Sequence, residues 1–283
     1  MVARSINFKC NNDCISCIFD TRQIQFAQDP PLERIKENIR NWPSKKHIGL
    51  TGGEPTLHED LFEIIEFTRG LYPEIEISLV SNGRKFADKE FTENFSKLNL
   101  GKFKACIAIY SHKAEVHDFI SGVDGSWLET VKGIKELLKR GIPVELRVIV
   151  EKANYRDLEE TAKFIGKELN GVFRVVFINL KYSGNAFINR DKIFVSYSYA
   201  TPFVERAVDV LEKEGVSVKL FHFPFCTIDE KYWPHVSGVT KEPKELALLK
   251  KCTECAMRKE CPRIWKTYIV LAGEGEFNPI KAR

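Results

Sequence analysis

The sequence predicts an α/β protein: a partial (β/α)6 barrel of the TIM type, followed by a small cysteine-rich C-terminal module. Three observations predict it. Short β-rich runs alternate with amphipathic stretches, the pattern of a parallel sheet with right-handed crossovers. The alternation completes six units, fewer than the eight that close a barrel. The Cys-, Gly-, Ser- and Asn-bearing segments each follow a strand, where such folds gather their reactive groups.

The elements follow in order. A first strand runs through Ile6-Asn7-Phe8 and ends at Cys10. Strands two to six are expected at 46–50, 74–80, 103–110, 144–150 and 173–180, separated by helices at 32–42, 59–71, 89–98, 127–139 and 158–168. In the fourth of these helices Trp127, Leu128, Val131, Ile134, Leu137 and Leu138 recur at three and four, one buried face. After about residue 180 the alternation loosens, and a helix at 203–214 and a strand at 216–221 lead to Cys226 and the tail. The barrel is expected over 1–215 and the C-terminal module over 216–283. The sequence contains no internal repeat and no low-complexity tract.

At 283 residues, 43% apolar and 29% charged, the chain reads as one large globular domain or a domain with an appendage. Its 43 basic residues against 39 acidic ones are too even to indicate nucleic acid. No run reaches the ~18 apolar residues of a membrane span, and Met1-Val2-Ala3-Arg4-Ser5 leads into no signal core. A cytoplasmic location is expected. Lys- and Glu-rich composition with only two Met points to a thermophilic source.

Six of the eight cysteines fall in two clusters, Cys10, Cys14 and Cys17, then Cys252, Cys255 and Cys261. Clustered thiols in such a chain read as metal ligands, with the intracellular disulfides of hyperthermophiles as the alternative. Cys10, Cys14 and Cys17 have the spacing Cys-x3-Cys-x2-Cys. Thiolates on one short loop suit an iron–sulfur cubane, and three of them leave one iron open. Structural zinc, which wants four ligands, is the other reading.

This spacing resembles the signature of the radical S-adenosylmethionine (radical SAM) superfamily. The resemblance implies a [4Fe–4S] cluster whose open iron binds the amine and carboxylate of the methionine moiety. It also implies reductive cleavage of SAM to a 5′-deoxyadenosyl radical, with an electron donor such as ferredoxin or flavodoxin. Ser16 stands where the family usually has an aromatic residue near the adenine, so Ile15 or Phe19 is expected to pack there. Thr51-Gly52-Gly53-Glu54-Pro55 resembles the second family motif. Gly52 and Gly53 would let the main chain approach a ligand, and Glu54 would accept the methionine ammonium.

Ser81 and Asn82 end the third strand, where the family places polar contacts to SAM; a turn role suits Ser-Asn-Gly as well. In the fifth strand Val144, Leu146, Val148 and Val150 share the helix-facing side, which turns Glu145 and Arg147 to the lumen. Arg147 would clamp a carboxylate or pair with Glu145. His117 and Asp118 read as capping and loop residues, and Cys106 as a small buried hydrophobe.

Cys252-x2-Cys255-x5-Cys261 matches part of the family's C-terminal auxiliary-cluster module, SPASM. The fourth cysteine of that run would fall at Trp265, so a shortened, twitch-like module with Cys226 as fourth ligand is implied, holding a second [4Fe–4S] cluster. A zinc ribbon-like staple is the alternative. Phe225-Cys226, Trp233, Ser237 and the cysteine run resemble maturases of ribosomally made peptides, with Pro262 where Gly is typical. A peptide substrate is the expectation. Because the cysteine loop begins at residue 10, leader recognition is expected from a separate partner or a sheet edge. Modification of a small molecule, lipid or tRNA nucleoside is the rival within the family; a non-enzymatic zinc or iron–sulfur protein is the rival outside it.

Overall fold

A computed structural model describes residues 3–24, 26–44, 46–237 and 243–282; Met1 and Val2, part of the N-terminus read above as lacking a signal core, lie outside the described residues. Strands β1 (Ala3–Ser5), β2 (His47–Thr51), β3 (Glu76–Ser81), β4 (Phe103–Ala108), β5 (Val144–Val150), β6 (Arg174–Asn179), β7 (Ser217–Phe221) and β8 (Val236–Ser237) lie in chain order. Every neighbouring pair is parallel. β1 and β8 are the two edges, so the barrel is open. The α/β partial barrel is therefore as the alternation predicts. The sheet runs on past residue 215, however: β7 and β8 extend it, and the segment assigned to the C-terminal module contributes barrel strands.

The two faces of the sheet differ because strand side chains alternate. Ile48, Leu50, Ile77, Leu79, Ala105, Ile107, Val144, Leu146, Val148, Val150, Val175, Phe177, Val218 and Leu220 are buried in one continuous core. Helical Ile64, Ile134, Leu137, Ile165, Val204 and Leu211 belong to the same core. On the other side His47, Glu76, Lys104, Glu145 and Arg174 meet as a polar plug. Lys104 pairs with Glu76 at 2.7 Å and with Glu145 at 3.9 Å, and Arg174 reaches Glu145 at 3.4 Å. His47 shares a 2.8 Å hydrogen bond with Ser78. Most of these residues sit at or near the N-terminal ends of their strands, so the plug fills the bottom of the barrel and leaves the top for chemistry.

Two elements depart from expectation. The first strand stops at Ser5, and Ile6–Lys9 follow β2 by irregular bonds instead: Ile6 N to Thr51 O, Gly53 N to Asn7 O and Glu54 N to Lys9 O. The Asn7 amide adds bonds to Glu54 O and Lys9 O, replacing ladder partners with side-chain ones. The helix expected to start after Pro202 instead spans Tyr197–Lys213 with Pro202 inside. Its first turn is capped from the C-terminal segment, the Tyr268 hydroxyl accepting from Tyr197 N at 3.0 Å and Glu276 from Ser198 N at 2.7 Å. Tertiary caps thus overrule a local breaker.

Beyond β8, β9 (Leu246–Ala247) and β10 (Ile264–Trp265) pair antiparallel and bracket the second cysteine run, before a helix at Lys266–Ala272. No described helix is long and apolar enough to cross a membrane.

Candidate active site

The loop carrying Cys10, Cys14 and Cys17 crosses the C-terminal mouth of the barrel and is held from three directions. From the helix at Ala114–Ser121, Ser121 O and Ile120 O accept from Asp13 N and Ile15 N. From the segment after β3, Arg84 donates to Asn11 O and to the Asn12 side chain at 2.8 Å, while the Asn82 amide reaches Asn11 at 2.7 Å. From the turn after β6, Asn185 donates to Cys14 O at 3.1 Å and Asn189 to Ile15 O at 3.1 Å. Gly184, at φ +57°, lies so close under this loop that a Cβ would stand 2.2 Å from Phe19 C. Such multiple tethering fixes a ligand loop before its metal arrives.

All eight cysteines are free thiols. Burial pushes Cys10 up to about 11 and Cys14 up to about 12, and raises Cys17. Thiols so desolvated become thiolates only beside a strong positive charge, which an iron core supplies. Donors for sulfur are already in place: Asn12 N to Cys10 at 3.4 Å, Asn12 Nδ2 to Cys14 at 3.8 Å, and the Tyr110 hydroxyl beside Cys14 at 3.5 Å. Among the described residues no group of three His, Cys, Asp or Glu side chains is placed to hold a single metal ion. Three free thiols on one tethered loop, with donors already at two of the sulfurs, are a donor set suited to a polynuclear group, whose irons would take one thiolate each.

Beside the loop, Glu54 organises the ends of β2 and β3. It is buried. Its Oε1 accepts from Thr56 N at 3.0 Å, Thr56 Oγ1 at 2.7 Å and Ser81 Oγ at 2.8 Å; Oε2 accepts from Asn82 N at 2.6 Å. Burial still holds its pKa above the usual carboxylate value. Ser81 and Asn82 are thus brought to Glu54, as donors to it. What Gly52 and Gly53 approach is the chain leading into the cysteine loop: a Cβ on Gly52 would meet Asn7 O at 2.4 Å, and one on Gly53 would meet Phe8 O and Lys9 O at 2.3 Å.

Arg147 lies lower in the lumen, its Nε and Nη2 both 3.2 Å from Glu145 Oε1. Of its two sequence roles, pairing with Glu145 is the one the geometry displays. Cys106 is buried as expected but donates to Glu145 at 3.5 Å, joining the polar plug. Asp118 caps the helix at Ser126–Lys139, accepting from Gly125 N, Ser126 Oγ and Trp127 N at 2.7–2.8 Å. His117 is buried, and desolvation lowers its pKa to about 4, so it is a neutral acceptor for Tyr110 N. Ile15 packs against the core, while Phe19 is 38% exposed.

Sequence reasoning missed Tyr110, Arg84, Asn185, Asn189 and Glu151 as neighbours of the loop. Glu151 had a signal: it continues the lumen-facing phase of Glu145 and Arg147, one residue past β5. The loop and turn residues had none, because their partners are more than 70 positions away.

A second candidate site combines the segment between β7 and β8 with the cysteine run that follows β8. Cys226, Cys252, Cys255 and Cys261 line one pocket with Phe225, Met257, Phe277 and Ile280. Burial raises Cys226 to about 11. Arg263 N and Ile280 N donate to Cys261 and Cys255, each at 3.4 Å. Four thiols, one from residue 226 and three from the run 252–261, thus face one space.

A profile described as the Radical SAM superfamily matches residues 5–165, more than half of the chain. The Probable GTP 3',8-cyclase of Thermococcus kodakarensis is 30% identical over 167 residues, 58% of this chain and 52% of that protein. The Fe-coproporphyrin III synthase of Methanosarcina barkeri is 26% identical over 221 residues, 76% of this chain and 53% of that protein. The chain spans about half the length of these curated relatives. Streptococcus suis SuiB bound to its precursor peptide SuiA superposes with a TM-score of 0.63 at 14% identity, over 77% of this chain and 48% of that one. Native anSMEcpe with bound AdoMet and Kp18Cys peptide gives 0.60 at 19%, over 77% and 62%. Identities this low establish a shared fold. The family profile runs from the end of β1 through the cysteine loop to the helix after β5, and the chain belongs to the radical SAM superfamily.

Proposed function

We propose that this chain cleaves S-adenosylmethionine reductively and uses the resulting radical to abstract hydrogen from a peptide. The observation that carries the first part is a tethered loop at the C-terminal mouth of the barrel with three free thiols, Cys10 exposed and Cys14 and Cys17 half-buried. A [4Fe–4S] cluster bound by Cys10, Cys14 and Cys17 would supply the electron that breaks the sulfonium bond to C5′. The chain's own contribution is positional. Arg84, Asn185 and the 114–121 helix hold the loop, Glu54 ties the ends of β2 and β3 together, and the polar plug closes the lumen from below. In this reading SAM would bind at those strand ends, where Gly52 and Gly53 pack under the chain entering the cysteine loop and Ser81 and Asn82 hold Glu54. Arg147, engaged with Glu145, belongs to the polar groups beneath the mouth in this reading.

Cys226, which precedes β8, and Cys252, Cys255 and Cys261, which follow it, support a second, fully ligated cluster in a twitch-like module. Four thiolates leave no iron open, so its role would be electron transfer or structure. The one-electron donor is a ferredoxin or flavodoxin, and the location cytoplasmic, in this proposal.

The peptide reading rests on the resemblance of the C-terminal cysteine run to peptide maturases. A second reading, a small-molecule substrate, is favoured by the relatives, whose names include a GTP cyclase and a porphyrin-type synthase. Anaerobic reconstitution followed by dithionite and SAM tests the first claim: 5′-deoxyadenosine is expected, and a zinc-loaded protein that releases none would contradict it. Mass analysis of peptides and of small metabolites from expressing cells separates the two substrate readings.

A further inference from the structure

Burying a carboxyl group without a hydrogen-bond partner is costly, and a structure that retains one leaves it to be explained by what binds there. Glu151 is such a group. It is 0% exposed, and among the described residues neither carboxyl oxygen has a hydrogen-bond partner. It stands one residue past β5, in phase with the lumen side chains, at the mouth of the barrel. Asn154 orients its backbone, accepting from Glu151 N at 3.0 Å.

The groups facing it come from three elements. Ser16 of the cysteine loop presents its hydroxyl close by, without a well-formed bond, and Tyr110 and Tyr182 approach from beyond β4 and β6. None is a cation. Burial pushes the Glu151 pKa up to about 8.

The other acid at the mouth is different. Glu54 already accepts four hydrogen bonds from its own chain. Of these two buried acids, Glu151 is the one left with acceptor capacity. Ser16 immediately precedes Cys17, so a group that reaches Glu151 beside Ser16 also meets the loop that holds the thiols. SAM is a cation with an ammonium group and an amino-bearing base, and it offers both the charge and the N–H donors that a buried carboxylate lacks.

We propose that Glu151 is a SAM-binding residue, its carboxylate accepting N–H hydrogen bonds from the cofactor with the Ser16 hydroxyl beside it. A proton carried by Glu151 in the free protein passes to solvent as SAM binds. The inference rests on SAM as the cofactor of this mouth, as proposed above.

The test is anaerobic calorimetry of SAM binding to the reconstituted protein at neutral pH, in buffers of different ionisation enthalpy. Wild-type protein is compared with Glu151→Gln, Glu151→Leu and Glu151→Asp, each checked for iron content and melting temperature. Affinity is expected to fall about tenfold in Glu151→Gln and further in Glu151→Leu, the scale of a lost charge-assisted bond. Glu151→Asp keeps part of it. Wild type releases about one more proton per SAM than Glu151→Gln, a difference that a merely structural residue would not produce. Glu151→Leu protein with wild-type affinity and proton release overturns the proposal alone. Wild-type protein that binds no SAM removes its ground together with the functional reading.

Discussion

The two cysteine sites of this chain are built in opposite ways. The first places three thiols within eight residues on one loop and spends side chains from distant elements, Arg84, Asn185 and Asn189, on holding that loop. The second draws four thiols from separate segments into one pocket, with backbone N–H groups donating to sulfur. In the proposed reading, three ligands leave a metal position for a substrate and four close it. The difference teaches that the openness of a site is set by ligand count, whereas its precision is set by what tethers the ligand-bearing backbone.

The largest test of this contrast separates the sites. Replacing Cys10, Cys14 and Cys17 with alanine is expected to abolish 5′-deoxyadenosine formation and to reduce bound iron by about half, leaving the second site loaded. Replacing Cys226 and Cys252 instead is expected to preserve SAM cleavage while product formation on the true substrate is lost. Iron analysis beside the nucleoside assay reads both. If the C-terminal replacements alone stopped SAM cleavage, the division of labour would be wrong.

A smaller effect sharpens the claim about tethering. Gly53→Ala sets a Cβ 2.3 Å from Phe8 O and Lys9 O, backbone atoms that lead into the first cysteine loop. The expected cost is about 2–4 kcal/mol of stability, by the usual scale of steric strain and overpacking, together with weaker retention of the first cluster and an intact second one. Denaturant unfolding and site-resolved iron spectroscopy check it.

The third effect is a pH dependence. The Glu151 pKa is raised by burial from 4.5 to about 8, so the stability attached to its protonated form is full below the unfolded value and is lost as pH rises through about 8. Ligand-free Glu151→Gln protein is therefore expected to gain on the wild type, in melting temperature, as pH climbs from about 5 to about 9. The gap in stability opens by a few kcal/mol at most. A gap that stayed constant across that range would show that Glu151 is not buried as an isolated acid.

Much of this was legible in the sequence because periodicity reports burial directly. The fifth strand and the helix at Leu158–Glu168 fall where alternation and 3.6-residue spacing place them. Cys10, Cys14 and Cys17 were legible because a ligand loop is local. The start of the helix at Tyr197–Lys213 was not, since its caps come from Tyr268 and Glu276, some 70 residues on. Nor was the reason for Gly52 and Gly53, whose neighbours at Asn7–Lys9 lie across a strand pairing. The hydrogen-bonding of Glu54 escaped for a related cause: a motif marks an acid as important without saying whether ligand or protein satisfies it.

Electron paramagnetic resonance of the dithionite-reduced wild-type protein, with and without SAM, probes the contrast between the sites most directly. Two [4Fe–4S]⁺ signals are predicted, of which SAM shifts one and leaves the other unchanged. A spectrum without iron–sulfur signals, or one in which SAM shifts neither, would contradict the account.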